Sequence, residues 1–350
     1  MIARTNKSQN LFLIKFMTTV LIFSFSDIFT ANAQSNLKAF FISGLAQGTT
    51  YHITYYAKHK IITKTQIDNV LDKIDSSLSV YKPYSLISKF NSPGCSEVVM
   101  DKFLADVVNK SLDIYKQSEG LFDITVFPLV RAWGFSNKHV TKLPDSAFIS
   151  GILPCVGSVK LLVIGNRLIK KSPCVQIDVD GIAQGYSVDV LAAFLEAHSI
   201  KNYLVEVGGE IRVKGKKQPE NVKMTIGIEQ PAKNANDEPI IQTVLQVKDG
   251  AVTTSGNYRK YFTSENHVMS HLIDPKTGFP LNNEMIAVTV WAKNAITADG
   301  YDNPLMGMGV TKALAFMKLH KDMEAYFIYH KKDGTVTDTA TAGFYKFIKN

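Results

Sequence analysis

The sequence predicts an α+β protein in which strands and amphipathic helices share one folded body, and three observations carry that expectation. The stretch Gln176 to Gly215 reads as strand, turn, helix and hairpin. Two early runs, Ala39 to Gly44 and Tyr51 to Lys58, read as strands, the second by the alternation in TYHITYYAK. Helical spacing of apolar residues marks Gln66 to Ser77 through Val70, Leu71 and Ile74, and Asp101 to Ser118 through Phe103, Val107, Leu112 and Tyr115. With 350 residues, 45% hydrophobic and 20% charged, the chain can bury one large core or two moderate ones.

The first residues differ from the rest. Arg4, Lys7 and Lys15 precede the apolar run Phe16 to Phe29, which Thr18, Thr19, Ser24, Ser26 and Asp27 interrupt, and Ala31-Asn32-Ala33 offers a small-x-small cleavage site. Residues 1–33 are therefore expected to be a signal peptide and 34–350 the mature domain, exported and beginning at Gln34. The run is too short and polar for a stable membrane span, and no cysteine near the cleavage point can accept a lipid. Its removal takes away three basic residues and one acidic, so the formal charge falls from +8 to +6. The lysine pairs 170–171, 216–217 and 331–332 are not interleaved with aromatics, which excludes a nucleic-acid groove.

Between the first strands lies Gln47-Gly48-Thr49-Thr50, a turn by composition. After the first helix, Pro83 breaks LSVYKPYSLISKFN, so Tyr81 and Tyr84 fall on a loop. Gly120 ends the second helix, and in GLFDITVFPLVRAWGF the polar Asp123 and Thr125 sit among apolar residues, where they either cap backbone or face a ligand. Cys155 and Cys174 flank a hairpin, Val159 to Val163 and Arg167 to Lys170, at a separation a disulfide can close, which leaves Cys95 over. No cysteine or histidine spacing supports structural zinc.

The central stretch follows. Gln176 to Val179 reads as a strand, Asp180-Gly181 as its turn, and Ala183 onward as a helix with Tyr186, Val190, Leu191, Phe194 and Leu195 as its stripe and His198 near its end. A helix start after a glycine turn can hold an anion, and Asp178 and Asp180 beside it suggest a cation shared with phosphate oxygens. Tyr203 to Val207, Gly208-Gly209 and Glu210 to Val213 form a hairpin. Residues 215–240 are polar and turn-rich around the strand Met224 to Glu229. GAVTTSGNYRKYF and SHLIDPKTGFP precede the strand MIAVTVWA, which brings Asp299 to a helix start where the backbone dipole stabilises a carboxylate. Thr311 to His320 reads as a terminal helix and Glu324 to His330 as the last long strand.

These blocks, in this order, resemble the ApbE family, the FAD:protein FMN transferases. QGTT resembles the family's MGT, with Gln47 for Met, and LSVYKPYSLISKFN its MSTYDPxSExSRFN. GLFDITVFPLVRAWGF resembles GxFDxTVxPLxxxWGF. IDVDGIAQGYSVD resembles LDLGGIAKGYAVD, with Gln184 for Lys, and VEVGGEIRVKG resembles VNLGGDIRALG. TTSGNYRK, SHLIDPKTG and TADGYDNPL resemble ATSGDYRR, SHIIDPRTG and TADALATAL, with Asn257 for Asp and Asn303 for Thr.

The resemblance implies antiparallel sheets with flanking helices, an ApbE-like architecture related to the T-fold, and a flavin pocket lined by both halves of the chain. It implies FAD as substrate, held by Gln47, Thr49, Leu78, Ser79, Val80, Tyr81, Asp123, Thr125, Tyr186, Gly208, Gly209, Ser255, Gly256 and His271. It implies Mg²⁺ bound by Asp299, Asn303 and the carbonyl of Ala183, with His271 and Asp299 catalytic. A neutral imidazole suits His271 as base toward an acceptor hydroxyl, while a hydrogen bond to the Asp274 turn is its plainer role. The implied reaction moves FMN to a Thr or Ser hydroxyl of an exported partner protein and releases AMP, in the periplasm, with membrane association left open. An FAD pyrophosphatase is the alternative that Gln47 and Asn303 keep open. A flavin carrier without turnover is a third, against which His271 and Asp299 argue, since a carrier needs neither.

Overall fold

The computed structural model describes residues 36–136, 143–230, 240–257, 261–264 and 267–349; the expected signal peptide and its cleavage point lie outside the described residues. The chain opens with strands β1 (Lys38–Ala46) and β2 (Thr49–Ala57). Gln47 and Gly48 close this hairpin at φ of 53° and 74°, the left-handed geometry that suits a two-residue turn. Helix α1 (Lys64–Leu78) starts on a capping box made by Thr63 and Gln66 and buries Ile67, Leu71 and Ile74. Then come α2 (Leu86–Asn91), capped by Ser85, strand β3 (Glu97–Val99), and α3 (Lys102–Gln117), capped by Asp101. Short helices α4 (Phe127–Ala132) and α5 (Ser146–Ile152) lead to β4 (Leu161–Ile164) and β5 (Arg167–Lys170), and β5 also pairs with β3.

Helix α6 (Asp180–Ala197) precedes the hairpin β6 (Tyr203–Val207) and β7 (Glu210–Lys214). Strands β8 (Met224–Glu229) and β9 (Ile241–Val247) pair with each other, and β10 (Asp249–Gly256) follows. After the small pair β11 (Tyr261–Ser264) and β12 (His267–Ser270), strand β13 (Met285–Ala292) runs into α7 (Ala295–Leu319), then β14 (Met323–His330) and β15 (Val336–Ala340).

Eight of these strands form one sheet in the order β1, β2, β6, β7, β10, β13, β14, β15, with every neighbouring pair antiparallel. The expected mix of a large antiparallel sheet and helices is present. Strand β13 explains why MIAVTVWA shows no polar alternation. Val288, Val290 and Ala292 belong to the core under α7, while Ile286 and Ala287 belong to a second core with β8, β9 and Phe344. Helix α6 is likewise buried on more than one side, Ile182 and Tyr186 in the first core and Val188, Leu191 and Leu195 in another with β2 and α1. Its apolar residues therefore wrap around the helix and form no single stripe.

Several expectations are corrected. Residues 176–179 form no strand, and Val179 (φ -114°, ψ 12°) already leaves the extended region before α6. The Asn91 side chain takes over the ladder's work there, donating to the Ile177 carbonyl (2.7 Å) and accepting from the Ile177 N–H (2.8 Å), while the Asp178 N–H reaches the Ile124 carbonyl (2.7 Å). Asp180 and Gly181 are not a turn before α6 but its first residues. The separate helix expected at 311–320 is the second part of α7, which breaks at Gly309 (φ 70°, ψ 159°), where Glu284 accepts from the Val310 N–H (2.8 Å). Strands β9 and β15 fall in runs to which the sequence reading assigns no element. Cys155 and Cys174 form a disulfide with Cα atoms 5.3 Å apart, and Cys95 is free. No described helix is long and apolar enough to cross a membrane.

Candidate active site

A cleft of about 660 Å³ opens between the two halves of the described chain. Tyr81, Asp123 and Asp178 line it from the first half; Gly208, Ser255, Gly256, His271, Asp299 and Asn303 line it from the second. Leu121, Phe122, Ile124, Val126 and Leu281 supply apolar wall, which suits a flat ring system above a polar floor.

Asp299 sits in the second turn of α7 and does not cap it. The first N–H groups of that helix go elsewhere: Asn294 accepts from Thr297, and the two oxygens of Asp189 accept from Ala295 (2.9 Å) and Ile296 (2.8 Å). Asp299 instead accepts from the Gly185 N–H of α6 (2.7 Å), across a crossing so tight that a Cβ on Gly185 would meet the Ala295 carbonyl at 2.5 Å and the Asp299 Cβ at 2.6 Å. Burial, opposed by that N–H and aided by the charges of Asp189 and Asp180, pushes the Asp299 pKa up to about 7. Asp302, one turn on, is 2% exposed and its Oδ1 has no hydrogen-bond partner. Burial and the Asp299 charge raise its pKa well above the ordinary range, opposed by the Thr253 hydroxyl and the Asn303 N–H. Asp178 is raised in the same direction by burial and by Asp180.

The other candidates divide. Asn303 accepts from Ser255 Oγ (2.7 Å). The Ala183 carbonyl accepts from Ser187 Oγ (2.8 Å), which in turn accepts from Gln47 Nε2 (2.8 Å), so the β1–β2 turn is tied to the start of α6. Gly208, at φ 64°, turns the β6–β7 hairpin beneath Thr49 and Gln184; a Cβ there would meet the Gln184 amide at 2.8 Å. Gly209, at φ 106°, completes the turn without joining the lining. Tyr81 reaches across from its loop and donates to Asp180 (3.0 Å). His271 is held in place through its neighbour: Ser270 Oγ donates to Asn257 Oδ1 (2.6 Å) and accepts from the Leu272 N–H (3.0 Å).

Asp123 both lines the cleft and caps backbone. Its Oδ1 accepts from the Thr125 N–H and hydroxyl (2.8 and 2.6 Å) and from Ser158 Oγ (2.7 Å), and its Oδ2 from the Ser158 N–H (3.0 Å). Thr125 is fully buried and also accepts from the Gly157 N–H (2.6 Å), so it supports Asp123 and does not line the cleft. Leu78 is core at the end of α1, Ser79 caps that helix, and Val80 packs on the core. Tyr186 points away: its ring meets Phe103 edge-on and its hydroxyl donates to Asp106 on α3 (2.8 Å). Gln47, Thr49, Leu78, Ser79, Val80, Thr125, Ala183, Tyr186 and Gly209 are thus not among the lining residues.

The donor set fits a hard cation. Asp123, Asp178, Asp180, Glu210, Asp274, Asp299 and Asp302 line the cleft, and no lysine or arginine does among the described lining residues. A pyrophosphate entering such surroundings needs its charge offset, and oxygen ligands with one carboxylate oxygen left unpartnered suit Mg²⁺. No group of three or more His, Cys, Asp or Glu is arranged as a metal cage among the described residues. Sequence reading missed Asp302 because its motif position holds only an Ala in the family, although the departure to Asp was there to be read, and missed the apolar wall because those residues read as ordinary core.

Fold and cleft together define an α+β protein with an acidic, oxygen-lined cleft assembled from both halves of its chain. The sequence model of the ApbE family matches residues 47–327. The FAD:protein FMN transferase of Vibrio cholerae serotype O1 is 34% identical over 313 residues, 88% of this chain and 92% of that one. The FAD:protein FMN transferase of Escherichia coli K12 is 33% identical over 287 residues, 80% of each chain. The solved flavin transferase ApbE from Vibrio cholerae superposes with a TM-score of 0.79 at 32% identity, covering 89% of this chain and 99% of that chain. The apo flavinyl transferase ApbE of Pseudomonas stutzeri gives 0.79 at 30% identity, covering 89% and 97%. The chain belongs to the ApbE family.

Proposed function

We propose that this chain is an FAD:protein FMN transferase that uses Mg²⁺ and modifies a Thr or Ser hydroxyl of an exported partner. The transferase activity follows from curated relatives that carry that function at about a third identity over most of both chains. The single observation supporting the finer reading is the convergence of Asp299, Asn303, Ser255, Gly208 and His271, from separate motifs, on one cleft with no lysine or arginine among its described lining residues.

In the transfer, the acceptor hydroxyl oxygen attacks the FMN-side phosphorus of the FAD pyrophosphate. The bond from that phosphorus to the bridging oxygen breaks, AMP leaves with the electron pair, and the hydroxyl proton passes to His271. Mg²⁺, when bound by Asp299, Asn303 and the Ala183 carbonyl, supplies charge neutralisation for the phosphates and the leaving AMP. The protein's share is positioning: the Ser270–Asn257 bond fixes the backbone beside His271, Tyr81 closes over the α6 start, and the apolar wall excludes water from the ring system. The T-fold kinship and the flavin pocket between the two halves belong to the same reading.

The mature protein is incubated with FAD, Mg²⁺ and a Thr-bearing acceptor peptide. FMN on the peptide with equal AMP is the expected result, whereas free FMN with AMP and an unmodified peptide would make the enzyme a pyrophosphatase. Export to the periplasm rests on the leader-like first residues, and sequencing the mature protein should find Gln34 first; Met1 on a cytoplasmic protein would overturn it.

A further inference from the structure

We infer that Asp302 is an additional ligand of the cation in the cleft, a second charged oxygen beside Asp299. The inference rests on the cation reading above and goes beyond its three assigned oxygens. Asp299, Asp302 and Asn303 stand at i, i+3 and i+4 of α7 and so share one helix face, and all three line the cleft. Asp302 is 2% exposed, and its Oδ1 is buried without a hydrogen-bond partner. Beside a second buried carboxylate, with the neutral Thr253 hydroxyl and Asn303 N–H favouring its charged form and no lysine or arginine among the described lining residues, such a group is costly unless a cation faces it.

The sequence supplies a reason for its presence. Where the family motif TADALATAL has Ala and Thr at adjacent positions, this chain has Asp302 and Asn303. Asparagine removes the hydroxyl, and the neighbouring carboxylate restores an oxygen with a full charge. Ligand charge sets the affinity of oxygen-based divalent sites, so the exchange should tighten cation binding before any nucleotide arrives.

The test uses full-length mature protein stripped with chelator and titrated with Mn²⁺ in the absence of FAD, by calorimetry and by loss of free-Mn²⁺ paramagnetic signal. Asp302→Asn, which keeps the shape, should weaken binding roughly tenfold or more and shrink the Mn²⁺-induced rise in melting temperature. Its metal-free melting temperature should not fall. Asp302→Ala, the residue of the family motif, provides the same comparison should the Asn variant fold poorly. Wild-type affinity in both Asp302 variants, with Asp299→Asn losing it, would overturn the inference and leave the Mg²⁺ reading standing. A lower metal-free melting temperature with unchanged affinity would make Asp302 structural. A wild-type protein that takes up no Mn²⁺ with or without FAD would sink both.

Discussion

Asp299 shows how a residue read from a motif acquires a physical role only once its surroundings are known. Its sequence position suggested a helix cap, yet Asn294 and Asp189 do the capping, and Asp299 is left buried with one N–H donor. On the proposed reading, Asp299→Ala removes the full charge from the cation. Turnover should fall roughly a hundredfold or more while FAD binding falls less, because phosphate charge at the cation grows toward the transition state. Near-normal turnover at low Mg²⁺ would remove the catalytic assignment. Tyr186 makes the opposite case. Its place in the motif pointed to the flavin, but helical spacing aims its ring at Phe103 and its hydroxyl at Asp106. Tyr186→Phe should cost about 1 kcal/mol of stability in a denaturant titration and leave FAD affinity unchanged. A motif preserves positions without saying which way a side chain faces, and Asp302 was passed over for the related reason that its motif position carries only an Ala in the family.

At the scale of elements, the strands with alternation and the helices with a clear stripe were legible, whereas segments stabilised by side chains were not. Residues 176–179 looked like a strand because they form a short run broken by Asp180-Gly181; only the distant Asn91 reveals that a side-chain amide replaces a neighbouring strand. The Cys155–Cys174 disulfide works at this scale too. It ties the segment that delivers Gly157 and Ser158 to Thr125 and Asp123, and so braces one wall of the cleft. Replacing both cysteines by serine should cost about 2–4 kcal/mol and lower the melting temperature. FAD affinity measured by calorimetry should drop with it; unchanged affinity would mean that Asp123 is held without the brace. Helix α7 ends at His320, whose ring stacks on Phe316 with centroids 3.9 Å apart. Burial holds the His320 pKa below its ordinary value, so the unfolded chain binds the proton more readily. That contribution to stability is present above the ordinary histidine pKa and is lost as pH falls below it. His320→Phe should therefore lose less melting temperature than wild type between about pH 7.5 and about pH 5.5; an equal loss would assign the pH dependence elsewhere.

For the whole molecule, the class of fold was legible from the sequence and the order of its sheet was not. Nothing local to β2 says that its partner will be β6, some 150 residues on, because that choice is made by side chains meeting across the core: Tyr51, Ile53 and Tyr55 with Val205 and Val207 under α6. The β2–β6 junction spans far more of the chain than any other in the sheet, and beside it the Gly208 N–H of the cleft lining donates to the Thr50 carbonyl (3.0 Å). Pairings so far apart in the chain are reached late, since a long loop must close before the contacts that reward it can form. The cleft is thus a product of the final stage of assembly, and a chain with hairpins and helices already in place is still blind to its nucleotide. In refolding from denaturant, far-UV circular dichroism should recover before the ability to quench FAD fluorescence, and coincident recovery would show that the distant strands find each other at the outset.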